Sequence, residues 1–109
     1  MHGAGVINEI WRKGAVTVEA LPGGKSFLFR FHVDADHIPG DVLSNCVVSA
    51  VDEFEAEVKA WGGRRGPTTA DRKAIAAFCL SRGFTEVYWW RYKNSKEAKQ
   101  VWLYQKIAH

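Results

Sequence analysis

The most aromatic stretch of the chain reads Phe84-Thr85-Glu86-Val87-Tyr88-Trp89-Trp90-Arg91-Tyr92-Lys93, and the run Val101-Trp102-Leu103-Tyr104 follows shortly after it. Seven of the fourteen aromatic residues of the chain lie in these two runs. Because aromatic and β-branched residues favour strands, we predict a hairpin of strands 85–93 and 99–107. With aromatic residues on both strand faces, this hairpin is either the middle of the core, a binding face or both. An alternative for residues 95–107 is a helix, since Asn94-x-x-Glu97 also fits a helix cap.

A short capped helix precedes the aromatic stretch. Pro67 comes just before Thr68-x-x-Asp71, a pattern close to the capping box in which the threonine hydroxyl accepts from a free backbone N–H. Gly83 closes the predicted helix, and Phe84 is positioned to fold back on its last turn. The buried stripe of this helix is expected to consist of Ala74, Ile75, Phe78 and Cys79.

The first half of the chain predicts a β-hairpin followed by a long helix. Residues 15–21 and 26–33 alternate in polarity and flank the turn Pro22-Gly23-Gly24, which is typical of an antiparallel hairpin. Residues 6–11 are a weaker candidate for a strand. Asp41 then resembles a helix N-cap, and apolar residues recur at three- and four-residue steps as far as Trp61. The predicted fold is therefore α+β, an antiparallel sheet of about four or five strands in order β-β-(β)-α-α-β-β with two helices packed on one face.

Size and composition indicate a single small globular domain of 109 residues. The longest apolar runs are too short for a membrane span and the N-terminus has no signal pattern, so we expect a cytoplasmic protein without membrane association. Cys46 and Cys79 are predicted to be buried free thiols. The small size and the charge distribution are in keeping with accessory proteins of phages and mobile elements.

Charge is distributed unevenly along the chain. Residues 1–60 contain five Lys or Arg against nine Asp or Glu, whereas residues 61–109 contain ten against three. The halves therefore carry −4 and +7, which together give the net charge of +3. Such a split predicts an anionic partner for the basic half, or head-to-tail self-association.

Two local patterns are candidates for ligand sites. His32-x-Asp34-x-Asp36-His37 has the residue types of a divalent-metal site, but aspartates in a loop before Pro-Gly more often bond their own backbone. The loop 62–67 contains glycines with Arg64 and Arg65 and leads into the helix start at Thr68, which would suit an anion. It lacks the spacing of a P-loop or a dinucleotide fingerprint. No metal and no cofactor is predicted.

The segment 68–107 resembles the C-terminal part of GNAT acyltransferases, where a helix ends in Gly-Phe before an aromatic strand. In one alignment Ser81-Arg82-Gly83-Phe84 matches that Gly-Phe, and Cys79 takes the place of the general-acid tyrosine of the family. In the other, Asn94, Ala98 and Leu103-Tyr104-Gln105-Lys106 match the pattern of its last large helix and Tyr104 is the acid. The pyrophosphate loop of the family is absent at 64–67, so the resemblance implies a degenerate acyl-CoA-binding relative more than a working acyltransferase.

Three functions follow from these observations. The first is a non-catalytic interaction protein, because exposed Trp, Tyr and Arg are typical of interface hot spots. The second is the GNAT-like relative, and the third is a single-stranded nucleic-acid binder, in which cations meet phosphates and rings stack on bases. We favour a protein partner, contacted through the basic aromatic C-terminal half. The predicted contact residues are Arg64, Arg65, Trp89, Trp90, Arg91 and Lys93.

Overall fold

The computed structural model describes residues 8–38, 40–93 and 96–105, apart from the side chains of residues 37, 92, 93 and 96. Within these residues the chain forms seven strands, one α-helix and a short 3-10 turn, Ala35–His37. The strands are β1 (Glu9–Lys13), β2 (Val16–Ala20), β3 (Ser26–His32), β4 (Val42–Ala50), β5 (Glu55–Gly63), β6 (Glu86–Lys93) and β7 (Lys96–Tyr104). The helix, α1, spans Thr69–Ser81.

All seven strands belong to one sheet, and their order in the sheet is their order in the chain. Each neighbouring pair is antiparallel except β5 and β6, which are parallel. A parallel pair needs a crossover connection, and α1 supplies it. The predicted antiparallel sheet of four or five strands with two helices is therefore wrong: the sheet is mixed and has seven strands, and the described residues contain a single α-helix.

The missing helix is the one predicted from Asp41 to Trp61. This segment instead forms the antiparallel strands β4 and β5. Asp52 makes the turn between them, because its side-chain Oδ1 accepts from the backbone N–H groups of Phe54 and Glu55 at 2.8 and 2.7 Å. Apolar residues at helical steps were present, but alternate positions also fit a strand with one buried face, and the valines in this segment favour it.

Other predicted elements are confirmed. Strands β2 and β3 form the expected hairpin, and β6 and β7 form the second one, so the helix alternative for 95–107 is wrong over β7. Helix α1 begins with a full capping box between Thr68 and Asp71. Strand β1 overlaps the weaker candidate at 6–11, although residues before Asn8 lie outside the described part of the chain.

The core lies between α1 and one face of the sheet, here called the helix-side face. Phe78 of α1 is 1% exposed, and its ring makes edge contacts with Phe27 and Phe29 of β3 at 5.0 and 5.3 Å between centroids. The predicted buried stripe of α1 is confirmed, and both cysteines are buried free thiols. Cys46, however, is on β4 rather than on a helix. No helix in the described residues has the length and apolar character needed to span a membrane.

One helix cannot cover seven strands. Strand spacing makes such a sheet about 30 Å wide, whereas a helix with its side chains is about 10 Å across. Tryptophans extend the apolar layer on both sides of α1. Trp11 of β1 contacts Phe78 on one side, and on the other the partly buried Trp61, Trp89 and Trp102 pack against the core.

Candidate functional site

Strand irregularities place two of these tryptophans on the helix-side face. In β7, Leu103 pairs with Val87 and Val101 pairs with Tyr88, so Trp102 is an extra residue in a β-bulge. In β5, Ala60 adopts a left-handed φ of 54° where the register with β4 shifts, and this changes the alternation of side chains before Trp61. Both indoles are thereby turned toward the same face as Trp89.

The three indoles form a continuous cluster. Trp61 and Trp89 meet edge-to-face with centroids 6.4 Å apart, and Trp89 and Trp102 are tilted with centroids 5.1 Å apart. Phe31 stacks on Trp61 at 5.2 Å and connects the cluster to the core. Such aromatic contacts add to the stabilisation from buried area alone and favour one arrangement of the rings.

Hydrogen bonds fix the indoles further. The Nε1–H groups of Trp89 and Trp102 both donate to Gln100 Oε1, at 2.7 and 3.0 Å. The Nε1–H of Trp61 donates to the carbonyl oxygen of Arg65 at 2.8 Å. The N–H groups therefore have partners within the protein, and a ligand would contact the partly exposed rings of these indoles instead.

Two arginines lie over these rings. The guanidinium carbon of Arg72, on α1, is 5.8 Å from the Trp102 ring centroid, and that of Arg91, on β6, is 5.6 Å from the Trp89 ring centroid. Neither guanidinium forms a salt bridge with a described residue, and Arg72 Nε is buried without a hydrogen-bond partner in that same part of the chain. We call this surface the tryptophan–arginine patch. It comprises Trp61, Arg72, Trp89, Arg91, Gln100 and Trp102.

The two predicted loop arginines differ in their environment. Arg64 is exposed. Arg65 is partly buried, and its guanidinium bonds both carboxylate oxygens of Asp71. Its carbonyl oxygen also accepts from Ser44 Oγ at 2.9 Å. Arg65 therefore holds the β5–α1 connection against the sheet, and its guanidinium is already paired with Asp71.

The predicted residues of β6 lie on two faces. Trp89 and Arg91 belong to the tryptophan–arginine patch, whereas Trp90 lies on the opposite face beside Tyr88, with ring centroids 6.1 Å apart and 43% of Trp90 exposed. Lys93 ends β6, and its side chain is outside the described residues. The structure therefore brings Trp89 and Arg91 together and separates them from Trp90.

The face that carries Trp90 is rich in carboxylates. Burial raises the pKa of Tyr88, and the charges of Glu57 and Glu55 raise it further, while Lys99 opposes them. Lys99 lies 4.3 Å from the Tyr88 ring centroid and donates to Glu86 at 2.9 Å. A polyanion would meet these carboxylates on this face, so the helix-side face suits an anionic partner better.

The metal candidate and the cysteines are further candidate sites for chemistry among the described side chains. His32 is buried and its Nε2 is 2.9 Å from Thr17 Oγ1, whereas Asp34 accepts from the backbone N–H of Asp36. No group of three His, Cys, Asp or Glu suitable for a metal occurs among the described residues, which exclude the side chain of His37. Burial raises the pKa of both thiols, that of Cys79 to about 12, so neither is a ready nucleophile at neutral pH.

Four residues of the tryptophan–arginine patch were absent from the predicted contact set: Trp61, Arg72, Gln100 and Trp102. Trp61 was assigned to a helix that does not exist. A signal for Arg72 was available, because it lies on the same helical stripe as the buried Ile75 and Cys79 and so faces the sheet. No sequence signal identified Gln100 as the shared acceptor of two indoles.

No protein-family model and no curated protein sequence matches this chain. The resemblance to GNAT acyltransferases therefore stays a prediction that rests on the motifs quoted above.

Proposed function

We propose that the protein is a non-catalytic binding module that contacts a protein partner through the tryptophan–arginine patch. The observation that carries this proposal is the pair of guanidinium groups, each over an indole and without a carboxylate partner among the described residues. Trp and Arg are the residues most enriched at interface hot spots, and stacked guanidinium groups recognise carboxylates in a fixed geometry.

The chemistry of the patch defines the partner. The indole faces suit an apolar or aromatic side chain, and Arg72 and Arg91 suit Asp or Glu on either side of it. Because hydrogen bonds and ring contacts already hold the indoles, little side-chain freedom is lost on binding. The partner is therefore an acidic protein segment with at least one large apolar residue between its carboxylates.

The test is a tryptophan fluorescence titration at low salt with a short peptide rich in Glu and Phe. The same peptide with Gln in place of Glu is the matched control, because it keeps the size and the apolar residues and removes the negative charges. We expect the acidic peptide to quench the fluorescence and the Gln peptide to bind more weakly. Arg72→Gln combined with Arg91→Gln should weaken binding of the acidic peptide by about tenfold or more. Lys25→Gln with Lys59→Gln removes the same charge elsewhere and should leave it unchanged.

Three results would contradict the proposal. Quenching by a single-stranded oligonucleotide but not by the peptide, with strong salt dependence, would identify a nucleic-acid binder. A rise in melting temperature with acetyl-CoA alone would identify an acyl-CoA-binding protein. If the peptide, the oligonucleotide and acetyl-CoA all leave the fluorescence and the melting temperature unchanged, the patch is not a binding surface.

A further inference from the structure

A cavity of about 480 Å³ lies on the other side of α1 from the tryptophan–arginine patch. It is bounded by the first turns of α1 and by the end of the sheet where β2 and β4 begin and β3 ends. Its walls are largely apolar and include Val16, Phe31, Leu43 and Ala74. Binding sites for small molecules are typically apolar clefts of about 300–1,000 Å³ with a few polar groups that fix the ligand.

Two buried polar side chains, those of Ser44 and Asp71, lie beside this cavity. Among the described residues, the buried polar or charged side chains are Thr17, His32, Ser44 and Asp71. Asp71 lines the cavity, and Ser44 donates to the carbonyl oxygen of Arg65, which also lines it. Thr17 and His32 bond each other on the opposite face of the sheet, because Thr17 lies between Val16 and Val18, which pair with Phe31 and Phe29 of the core. A buried polar group costs free energy unless it is paired, and both groups beside the cavity are paired: Asp71 with the Arg65 guanidinium, and Ser44 with the Arg65 carbonyl oxygen. These bonds hold the cavity wall in place and leave its apolar side chains to contact a ligand.

The charges at the cavity are predominantly positive. Asp71 is bonded to Arg65, which neutralises both groups. Lys13 at the end of β1 and Lys73 on α1 also line the cavity, are exposed, and form no salt bridge with a described residue. An occupant would therefore meet apolar walls inside and two free ammonium groups at the mouth.

We infer that this cavity binds a small organic anion with an apolar body, held by Lys13 and Lys73 through its acidic group and by Val16, Phe31 and Leu43 through its apolar part. No residue is shared between this site and the tryptophan–arginine patch, although Phe31 and Arg65 of the cavity wall both contact Trp61 of the patch. Binding here would be compatible with a partner on the patch, because α1 stands between the two.

The experiment uses 2-naphthoate as the probe and the neutral 2-naphthamide as its matched control. Binding is followed by amide chemical shifts in the ¹⁵N-labelled protein, so that the site of binding is mapped as well as its affinity. We expect 2-naphthoate to shift the resonances of Val16, Phe31, Leu43 and Ala74 and to bind more tightly than the amide. Lys13→Met with Lys73→Met should weaken naphthoate binding by about tenfold, as expected for two exposed ion pairs.

Two further variants separate the cavity from a general charge effect. Ala70→Phe, at an exposed position of the cavity wall, should fill the mouth and abolish binding without disturbing the core. Lys25→Met with Lys59→Met should leave the affinity unchanged. Equal affinity for naphthoate and naphthamide, an unaffected Lys13 and Lys73 variant, or shifts confined to the tryptophan–arginine patch would each overturn the inference. Failure of the peptide titration at the tryptophan–arginine patch would leave this inference standing, because that titration tests a different site.

Discussion

The sheet is covered in different ways on the two sides of α1. Toward β6 and β7 the sheet is covered by the indoles of Trp61, Trp89 and Trp102, which contact one another in series. Two of them, Trp89 and Trp102, share Gln100 as their hydrogen-bond acceptor. Toward β1 and β2, Trp11 packs against Phe78, and a cavity of about 480 Å³ remains beside the first turns of α1. The difference shows that large aromatic side chains can take the place of a second helix. On the Trp11 side, part of the space beside the helix stays open as this cavity.

The largest expected effect concerns Gly63, the last residue of β5, which lies between Trp61 of the patch and Arg65 of the cavity wall. Its φ is 113°, and a Cβ here would lie 2.5 Å from Leu43 O and Ser44 Cα. We expect Gly63→Ala to lower the free energy of unfolding by about 3 kcal/mol or more, through strain and a backbone clash. Gly83→Ala is the matched control, because its φ of 91° adds strain but nothing lies within 4 Å; it should cost about 1–2 kcal/mol. Urea denaturation measures both, and equal losses would contradict the clash.

Two substitutions of intermediate effect on stability compare a buried hydrogen bond with a partly exposed one. Thr17→Val removes the partner of His32 Nε2 at a site where both residues are buried, and we expect a loss of about 1–3 kcal/mol. Gln100→Met removes the acceptor of two indole N–H groups, but Trp89 and Trp102 are only partly buried, so water can replace it and the loss should be about 1 kcal/mol or less. Thermal or urea unfolding measures both losses of stability. A larger loss for Gln100→Met than for Thr17→Val would contradict the expected order.

The smallest effect is a gain in stability beside Trp61. Ala60 has a left-handed φ of 54°, a conformation that costs a residue with a Cβ about 1 kcal/mol. Ala60→Gly relieves this strain but also raises the conformational entropy of the unfolded chain. We therefore expect the free energy of unfolding to rise by a net amount of about a few tenths of a kcal/mol. Peptide binding at the tryptophan–arginine patch should be retained. A clear loss of stability would show that the Ala60 methyl group packs in a way that outweighs the strain.

Local sequence signals predicted those elements whose stability is local. The Pro-Gly-Gly turn fixed the β2–β3 hairpin, and the Thr68 and Asp71 capping box fixed the start of α1. The segment from Asp41 to Trp61 was ambiguous, because its apolar residues satisfied the helical period and the strand period together. Pairing with β3 on one side and β6 on the other decided in favour of strands, and such contacts between distant residues leave no mark in a short window of sequence.

The sequence alone determined that the C-terminal half is basic and aromatic, that it contains a hairpin, and that Trp89 and Arg91 are candidates for contact. Tertiary structure decided which aromatic residues share a face. The bulge at Trp102 and the left-handed Ala60 change side-chain alternation where strands pair, and α1 brings Arg72 over β7. Side-chain direction in a strand changes with a single inserted residue, so the composition of each face depends on pairing register, which only the folded sheet fixes.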